Sequence, residues 1–244
     1  MQDLKTVALI PARMAASRFP RKMLADLCGK PVIQRTYEAT VATGLFDQVV
    51  VVTDDQEIFE VMEQAGAKVM MSDPSHQSGS DRIAEAASQL VVDVVVNVQG
   101  DEPFVDKDTL ASLLEAFQEE GVSVASLMMP LTAVEDIQNP NYVKVITDLK
   151  GDALYFSRSP IPYVRDTQAG HQYFRHIGVY GYRKETLLAF TQMPMTVLEA
   201  TEKLEQLRLL ENGIKIRMVK TNHLSIGIDT PEDLALAIKR FQSS

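Results

Sequence analysis

Val7-Ala8-Leu9-Ile10-Pro11-Ala12-Arg13-Met14-Ala15-Ala16-Ser17-Arg18-Phe19-Pro20-Arg21-Lys22 is the stretch from which the architecture can be read. Its apolar head, Val7 to Ile10, has the composition of a buried strand, and a helix is expected to start near Pro31. The loop between them mixes small residues (Ala12, Ala15, Ala16, Ser17), which let a backbone run close to a ligand, with the cations Arg13, Arg18, Arg21 and Lys22. In open α/β sheets, ligands bind outside the carboxyl ends of the strands, where such a loop leaves the sheet. Arg forks and Lys point charges there suit a triphosphate. The spacing alone fits a solvated basic loop equally well.

Working outward, apolar runs alternate with amphipathic segments. A helix is expected over 32–43, with Ile33, Tyr37 and Val41 on one face. The β-branched run in 48–53 fits a parallel strand buried on both faces. Asp54-Asp55 then opens a helix through 65, its acids at the N-terminus as the macrodipole favours. A short strand at 68–71, a helix at 80–90 and a strand at 91–98 complete a βαβα order. That order predicts an α/β, doubly wound, mostly parallel, Rossmann-like sheet with right-handed crossovers.

Beyond residue 103 the pattern is mixed. A helix is expected over 108–119 with Asp108 as its cap, and strands over 123–128, 142–147, 153–157 and 176–182. A long loop spans 160–172. The excursion of about 130–200 reads as a small mixed extension for dimerisation or sugar binding within a single 1–244 domain. A helix over 197–210 ends at Asn212-Gly213, a left-handed stop, and a strand follows over 214–219. The last helix, 231–241, has Thr230 as cap and Pro231 at its first position.

At 244 residues the chain can bury a full core, and 45% hydrophobic with 23% charged residues is ordinary for a globular protein. A net charge of −9 argues against nucleic-acid partners, which need a basic surface. An acidic chain that gathers cations in one early loop suits a small anion. Cys28, alone, excludes a disulfide framework and a thiolate metal cluster. No apolar run reaches the ~18 residues of a membrane span, and no leader-type segment opens the chain. A cytoplasmic protein with no membrane partner is expected.

Asn97-Val98-Gln99-Gly100-Asp101-Glu102-Pro103 delivers a carboxylate to the sheet edge that carries the first loop. Mg²⁺ is usually held by one or two carboxylates plus substrate phosphates, which makes Asp101 a metal candidate, with Glu102 an equal one. An Asp capping a strand-to-helix turn is the competing reading. Asp229, in Gly227-Ile228-Asp229-Thr230-Pro231, is a second candidate, against a strong capping alternative. Ser78-Gly79-Ser80-Asp81-Arg82 fits either a phosphate or base contact or a plain capping box, and His76 beside it reads as solvated. In 175–182 alternation puts His176, Gly178, Tyr180 and Tyr182 on one face, suited to a hydroxylated sugar or to plain packing. In 202–208, Glu202, Glu205 and Gln206 face either a pocket or solvent, while Leu204 and Leu207 are buried.

Taken together, these pieces resemble the 3-deoxy-manno-octulosonate (Kdo) cytidylyltransferases, or CMP-Kdo synthetases. The matching segments run in order along nearly the whole chain: 10–13 with Ser17-Arg18 and Lys22, then 29–31, 53–55, 76–82, 97–103, 139–140, 155–162, 176–182, 204–208 and 227–233. The first loop is shared by many nucleotidyltransferases, whereas 99–103, 157–162 and 205–208 are specific to this family. The resemblance implies a nucleotide-diphospho-sugar transferase-like fold and a homodimer. It implies a CTP- and Mg²⁺-dependent enzyme making CMP-Kdo and pyrophosphate for lipopolysaccharide. By motif match, Arg13 and Lys22 hold the triphosphate, Ser78 and Arg82 the nucleotide, and Asp101 and Asp229 the Mg²⁺. Arg18, Gln99, Arg158, His176, Tyr180, Glu205 and Gln206 line the sugar-acid site, Arg158 and His176 facing its carboxylate. The sequence departs from the usual pattern at Met14 (Tyr), Ala16 (Ser), Arg21 (Gly) and Met23 (Pro). An analogue such as 8-amino-Kdo, another sugar acid, or a non-catalytic nucleotide-binding regulator remain as alternatives. Segments 99–103 and 205–208 count against a sialic acid, and Asp101, Asp229, Arg13 and Lys22 against a regulator.

Overall fold

Valine supplies the centre of the sheet. In the computed structural model, which describes residues 4–15, 18–76, 78–223 and 227–243, Val50 to Val52 and Val94 to Val96 are fully buried. Each such side chain contributes about 1.5–3 kcal/mol on leaving water. Ala16, Ser17, Gln77 and Ile226 of the sequence motifs lie outside the described residues.

The chain divides into two compact units, residues 2–110 with 224–244, and residues 111–223. The second is wider than the 130–200 excursion. The first unit runs β1 (Thr6–Ala12), α1 (Val32–Ala42), β2 (Gln48–Thr53), α2 (Gln56–Gln64), β3 (Val69–Met71), α3 (Gly79–Ser88) and β4 (Val94–Asn97). Its strands lie in the order β3-β2-β1-β4, all parallel, with Leu9 opposite Val50 on one side and Asn97 on the other. The parallel order places the C-terminal ends of these four strands, and hence Arg13, Lys22 and 99–102, at one sheet edge.

Caps fix the helix starts that face this edge. The Asp55 carboxylate accepts the Glu57 and Ile58 amides at 2.9 and 3.0 Å. Ser78 and Asp81 form a reciprocal capping box on α3, each bond 3.1 Å. Gly100 cannot be replaced without cost: a Cβ there would lie 2.9 Å from Ile33 Cδ1 and 3.0 Å from the Pro11 carbonyl oxygen.

Two expectations are corrected here. The strand expected over 91–98 forms only at Val94–Asn97, and Val91 is 81% exposed. The strand starts late because the Asp93 carboxylate, just before it, accepts the Lys5 amide at 2.8 Å. Helix α4 (Lys107–Glu115) starts one residue before Asp108, and Asp106 caps it by accepting the Thr109 amide at 2.8 Å.

The second unit contains β5 (Val124–Leu131), α5 (Val134–Gln138), β6 (Lys144–Thr147), β7 (Ala153–Ser157), β8 (Tyr173–Arg183), α6 (Lys184–Thr191), α7 (Val197–Glu202), α8 (Leu207–Glu211) and β9 (Arg217–Lys220). β5 pairs antiparallel with β8 and parallel with β9, and β6 pairs with β7 and β8, which gives the expected mixed pattern. The single helix expected over 197–210 is broken. Lys203 takes a left-handed conformation (φ 55°) between α7 and α8, and this break buries Leu204 as well as Leu207. Gly213, at φ +74°, provides the left-handed stop after α8. Helix α6, unforeseen, is short and follows directly from β8.

The chain then returns to the first unit as α9 (Pro231–Gln242), with Thr230 and Asp233 forming a capping box and Pro231 at the first position, as expected. Its Ala237, Ile238 and Phe241 pack on Leu27, Val32 and Ile228. Among the described residues no helix is long and apolar enough to cross a membrane.

Candidate active site

The first unit opens a cleft of about 280 Å³ at the strand ends, lined by Arg13, Arg18, Lys22, Gln99, Asp101 and Asp229 among others. One backbone bond assembles it: the Ile228 amide donates to the Asp101 carbonyl at 2.9 Å, fastening two segments far apart in sequence. Because Asp233 rather than Asp229 completes the α9 box, the Asp229 carboxylate is left to face the cleft.

Lys22 joins the two acids. Its ammonium is ion-paired with Asp101 and lies 2.8 Å from Asp229 Oδ1, while Arg18 reaches Asp229 Oδ2 at 2.9 Å. The Lys22 side chain is only 12% exposed. Burial alone would lower its pKa, but the Asp101 and Asp229 carboxylates outweigh burial and hold it above the ordinary lysine value. Burial likewise pushes Asp229 up, and Lys22 and Arg18 overcome it, keeping the acid below its usual range. Arg13 lines the cleft, exposed.

Other predicted residues are already engaged. Arg82 is buried, donating to Ser72 Oγ at 2.5 Å and to Asp54 Oδ2 at 2.9 Å. The Ser78 hydroxyl caps α3, so the capping reading is realised there, although Ser78 also lines the cleft. His76, expected to be solvated, pairs with Glu85 at 2.7 Å because the 73–76 turn brings it over α3.

The remaining sequence candidates belong to the second unit. Arg158 donates to the carbonyls of Glu202 at 2.7 Å and Pro140 at 3.0 Å. The Glu202 carboxylate is engaged within the unit, accepting the Ser157 hydroxyl at 2.6 Å and the Arg158 amide at 2.9 Å. His176 is half-buried, hydrogen-bonded to Ser126 Oγ at 3.0 Å, with its ring tilted against that of Tyr180 at 5.4 Å, and the Tyr180 ring in turn stacks on Tyr182. Burial, helped by Arg175, pushes the His176 pKa down to about 3, so the ring is neutral and offers hydrogen bonds rather than charge to a carboxylate. Burial raises the Tyr180 phenol well above its ordinary value, with Tyr182 next in effect, so it stays protonated. Gln206 is buried with its Nε2 lacking a hydrogen-bond partner among the described residues, and Glu205 lies 3.8 Å from Arg208.

A family model described as Cytidylyltransferase matches residues 7–216. A 3-deoxy-manno-octulosonate cytidylyltransferase of Christiangramia forsetii is 56% identical over 238 residues, 96% of each chain. That of Flavobacterium johnsoniae is 55% identical over 237 residues, 96% of this chain and 97% of its own. A solved CMP:2-keto-3-deoxy-manno-octonic acid synthetase, complexed with CTP, matches with a TM-score of 0.93 at 37% identity, covering 98% of this chain and 99% of that one. The chain belongs to the 3-deoxy-manno-octulosonate cytidylyltransferase family.

Family membership makes the chain an enzyme, a nucleotidyltransferase, and accounts for its mostly parallel α/β fold. It also gives meaning to the departures in the loop. Arg21, one of the departures noted in the sequence, adopts the left-handed conformation that Gly favours (φ 61°, ψ 20°) and is anchored by Glu57 at 2.5 Å. Met23 is buried against Gly100, its Cε 3.3 Å from where a Cβ would sit. Three supporting residues escaped the sequence reading. Asp54 was read as part of a helix start and of the matching segment 53–55 but given no role, Ser72 carried no signal, and Ser126 could have been noticed as a hydroxyl inside the apolar strand 124–131.

Proposed function

We propose that this chain transfers the cytidylyl group of CTP to Kdo, forming CMP-Kdo and pyrophosphate for lipopolysaccharide assembly. It would work in the cytoplasm as a homodimer, with the 130–200 region supplying much of the contact. The observation that carries the chemistry is the cation-lined cleft with Asp101 and Asp229 converging at the strand ends. The similarity to 3-deoxy-manno-octulosonate cytidylyltransferases supports the choice of sugar.

The donor set fits Mg²⁺. Among the described residues no group of three His, Cys, Asp or Glu could hold a metal alone, but Mg²⁺ commonly uses two carboxylates and completes its shell with phosphates and water. Asp101 and Asp229 already share one cation, the Lys22 ammonium. When bound, Mg²⁺ would supply charge neutralisation for the triphosphate. Arg13 and Lys22 hold the phosphates and offset charge gathering on the departing pyrophosphate. Arg82, rigid on Asp54 and Ser72, and Ser78 border the nucleotide. In the first unit Arg18 and Gln99 line the cleft; in the second, Arg158, His176, Tyr180, Glu205 and Gln206 are the residues that the family resemblance assigns to the sugar acid. The anomeric hydroxyl oxygen bonds to the α-phosphorus as the bond to the bridging oxygen breaks; pyrophosphate departs with that oxygen and the hydroxyl proton is released to water, so positioning does most of the work.

Pyrophosphate release from CTP and Mg²⁺, followed in parallel with Kdo, 8-amino-Kdo and N-acetylneuraminate, tests the proposal. Preferred turnover of Kdo is expected. Preference for either other sugar, or none despite CTP binding, would overturn it.

A further inference from the structure

The position between Asp101 and Asp229 that suits a divalent ion is taken by the chain's own ammonium. Lys22 Nζ bridges one oxygen of each acid, and Arg18 covers the other Asp229 oxygen. The bridge is built rather than incidental. Lys22 opens a short 3-10 turn, Lys22–Leu24, that follows the left-handed Arg21 and is closed by the Leu24 amide on the Arg21 carbonyl at 3.0 Å. Buried Met23 fixes the same turn from below. The Lys22 backbone is therefore held, and its four-carbon stem is the part free to swing. A metal ion and an ammonium cannot share the same two carboxylate oxygens, because each needs their lone pairs and the two cations repel.

We infer that Lys22 is the resident counter-cation of the Asp101–Asp229 pair, and that it excludes divalent ions until a triphosphate offers the ammonium another anionic partner. The inference rests on the proposal that these two acids hold the metal. Lys22 then has two successive tasks: it neutralises the acids in the nucleotide-free protein, and it moves to phosphate oxygens when CTP arrives. The consequence is order. Divalent ions enter with the nucleotide or after it, not before, and the nucleotide-free protein binds them weakly.

Mn²⁺ is the probe, its binding to the full chain followed by electron paramagnetic resonance with and without CTP. Wild type, K22M, K22Q, K22R and D101N are compared. Without CTP, K22M and K22Q should bind Mn²⁺ at least ~10-fold more tightly than wild type, within the usual range of coupling between sites. K22R, which keeps a cation, should bind as weakly as wild type. Mn²⁺ alone should raise the melting temperature of K22M and K22Q but not that of wild type, a readout that serves even if the variants are less stable. With CTP, wild type should bind Mn²⁺ in a manner lost in D101N. If that D101N-sensitive binding is present but K22M and K22Q bind no more tightly than wild type without CTP, the counter-cation role is overturned while the metal site stands. If D101N-sensitive binding is missing from wild type with CTP, the metal site itself is wrong and the inference falls with it.

Discussion

The two units differ in the polarity of their candidate site residues. In the first, the cleft is a lattice of full charges, with Arg18, Lys22, Asp101 and Asp229 in contact and Arg82 locked to Asp54. In the second, the candidate sugar-acid residues include, beside Arg158 and Glu205, neutral groups: a half-buried His176 held unprotonated and a Tyr180 held protonated. A triphosphate is recognised by charge, and a charged lattice pre-arranged at the strand ends can exchange partners with it. A polyhydroxylated sugar is recognised by hydrogen bonds whose donors and acceptors must not change with pH. The difference teaches that replacing a residue in the first unit should act through electrostatics, and in the second through protonation state and packing.

The largest effect that would break this contrast is on turnover. D101N removes one carboxylate from the lattice and should lower kcat by ~10²–10³-fold or more, with circular dichroism unchanged. Activity within a few-fold of wild type would mean that the lattice is ornamental. Next in size, R82L leaves Asp54 without its buried partner and should cost about 3 kcal/mol in urea unfolding, along with a higher KM for CTP. G100A tests whether the close approach of 99–102 to Pro11 positions the cleft. Its Cβ would press on the Pro11 carbonyl, and overpacking of this kind costs about 1–3 kcal/mol.

An effect on pH dependence alone sharpens the second unit's side of the comparison. The folded pKa of His176, about 3, is depressed below the ordinary value of 6.5. The unfolded chain therefore binds more protons between those two values, and stability rises with pH across that window. The contribution is fully present above about 6.5 and is lost as pH falls toward 3, by at most ~1.4 kcal/mol per pH unit. Unfolding midpoints at pH 6.5 and 4.5 should separate more for wild type than for H176Q. Equal separations would show that His176 is not held neutral by burial.

How much of this was legible beforehand follows the range of the forces involved. Strands made of consecutive valines and helices opened by Asp55, Ser78 or Thr230 are set by local physics, and the parallel half of the fold could be read from them. The break at Lys203 could not, because it depends on Glu202 being drawn to Ser157 and Arg158 from another strand. The same limit holds at the site. Asp101 and Asp229 were recognisable as acids after apolar runs, but their meeting depends on the Ile228–Asp101 backbone bond. The protonation state of His176 was equally invisible, since its desolvation comes from tertiary packing.

The most direct test of the charged cleft is a crystal structure of the protein with CTP and Mn²⁺, using anomalous scattering to locate the metal. The account predicts a manganese peak bonded to both Asp101 and Asp229, with the Lys22 ammonium moved onto the triphosphate. A triphosphate bound elsewhere, or a metal that touches neither acid while Lys22 still bridges them, would contradict it.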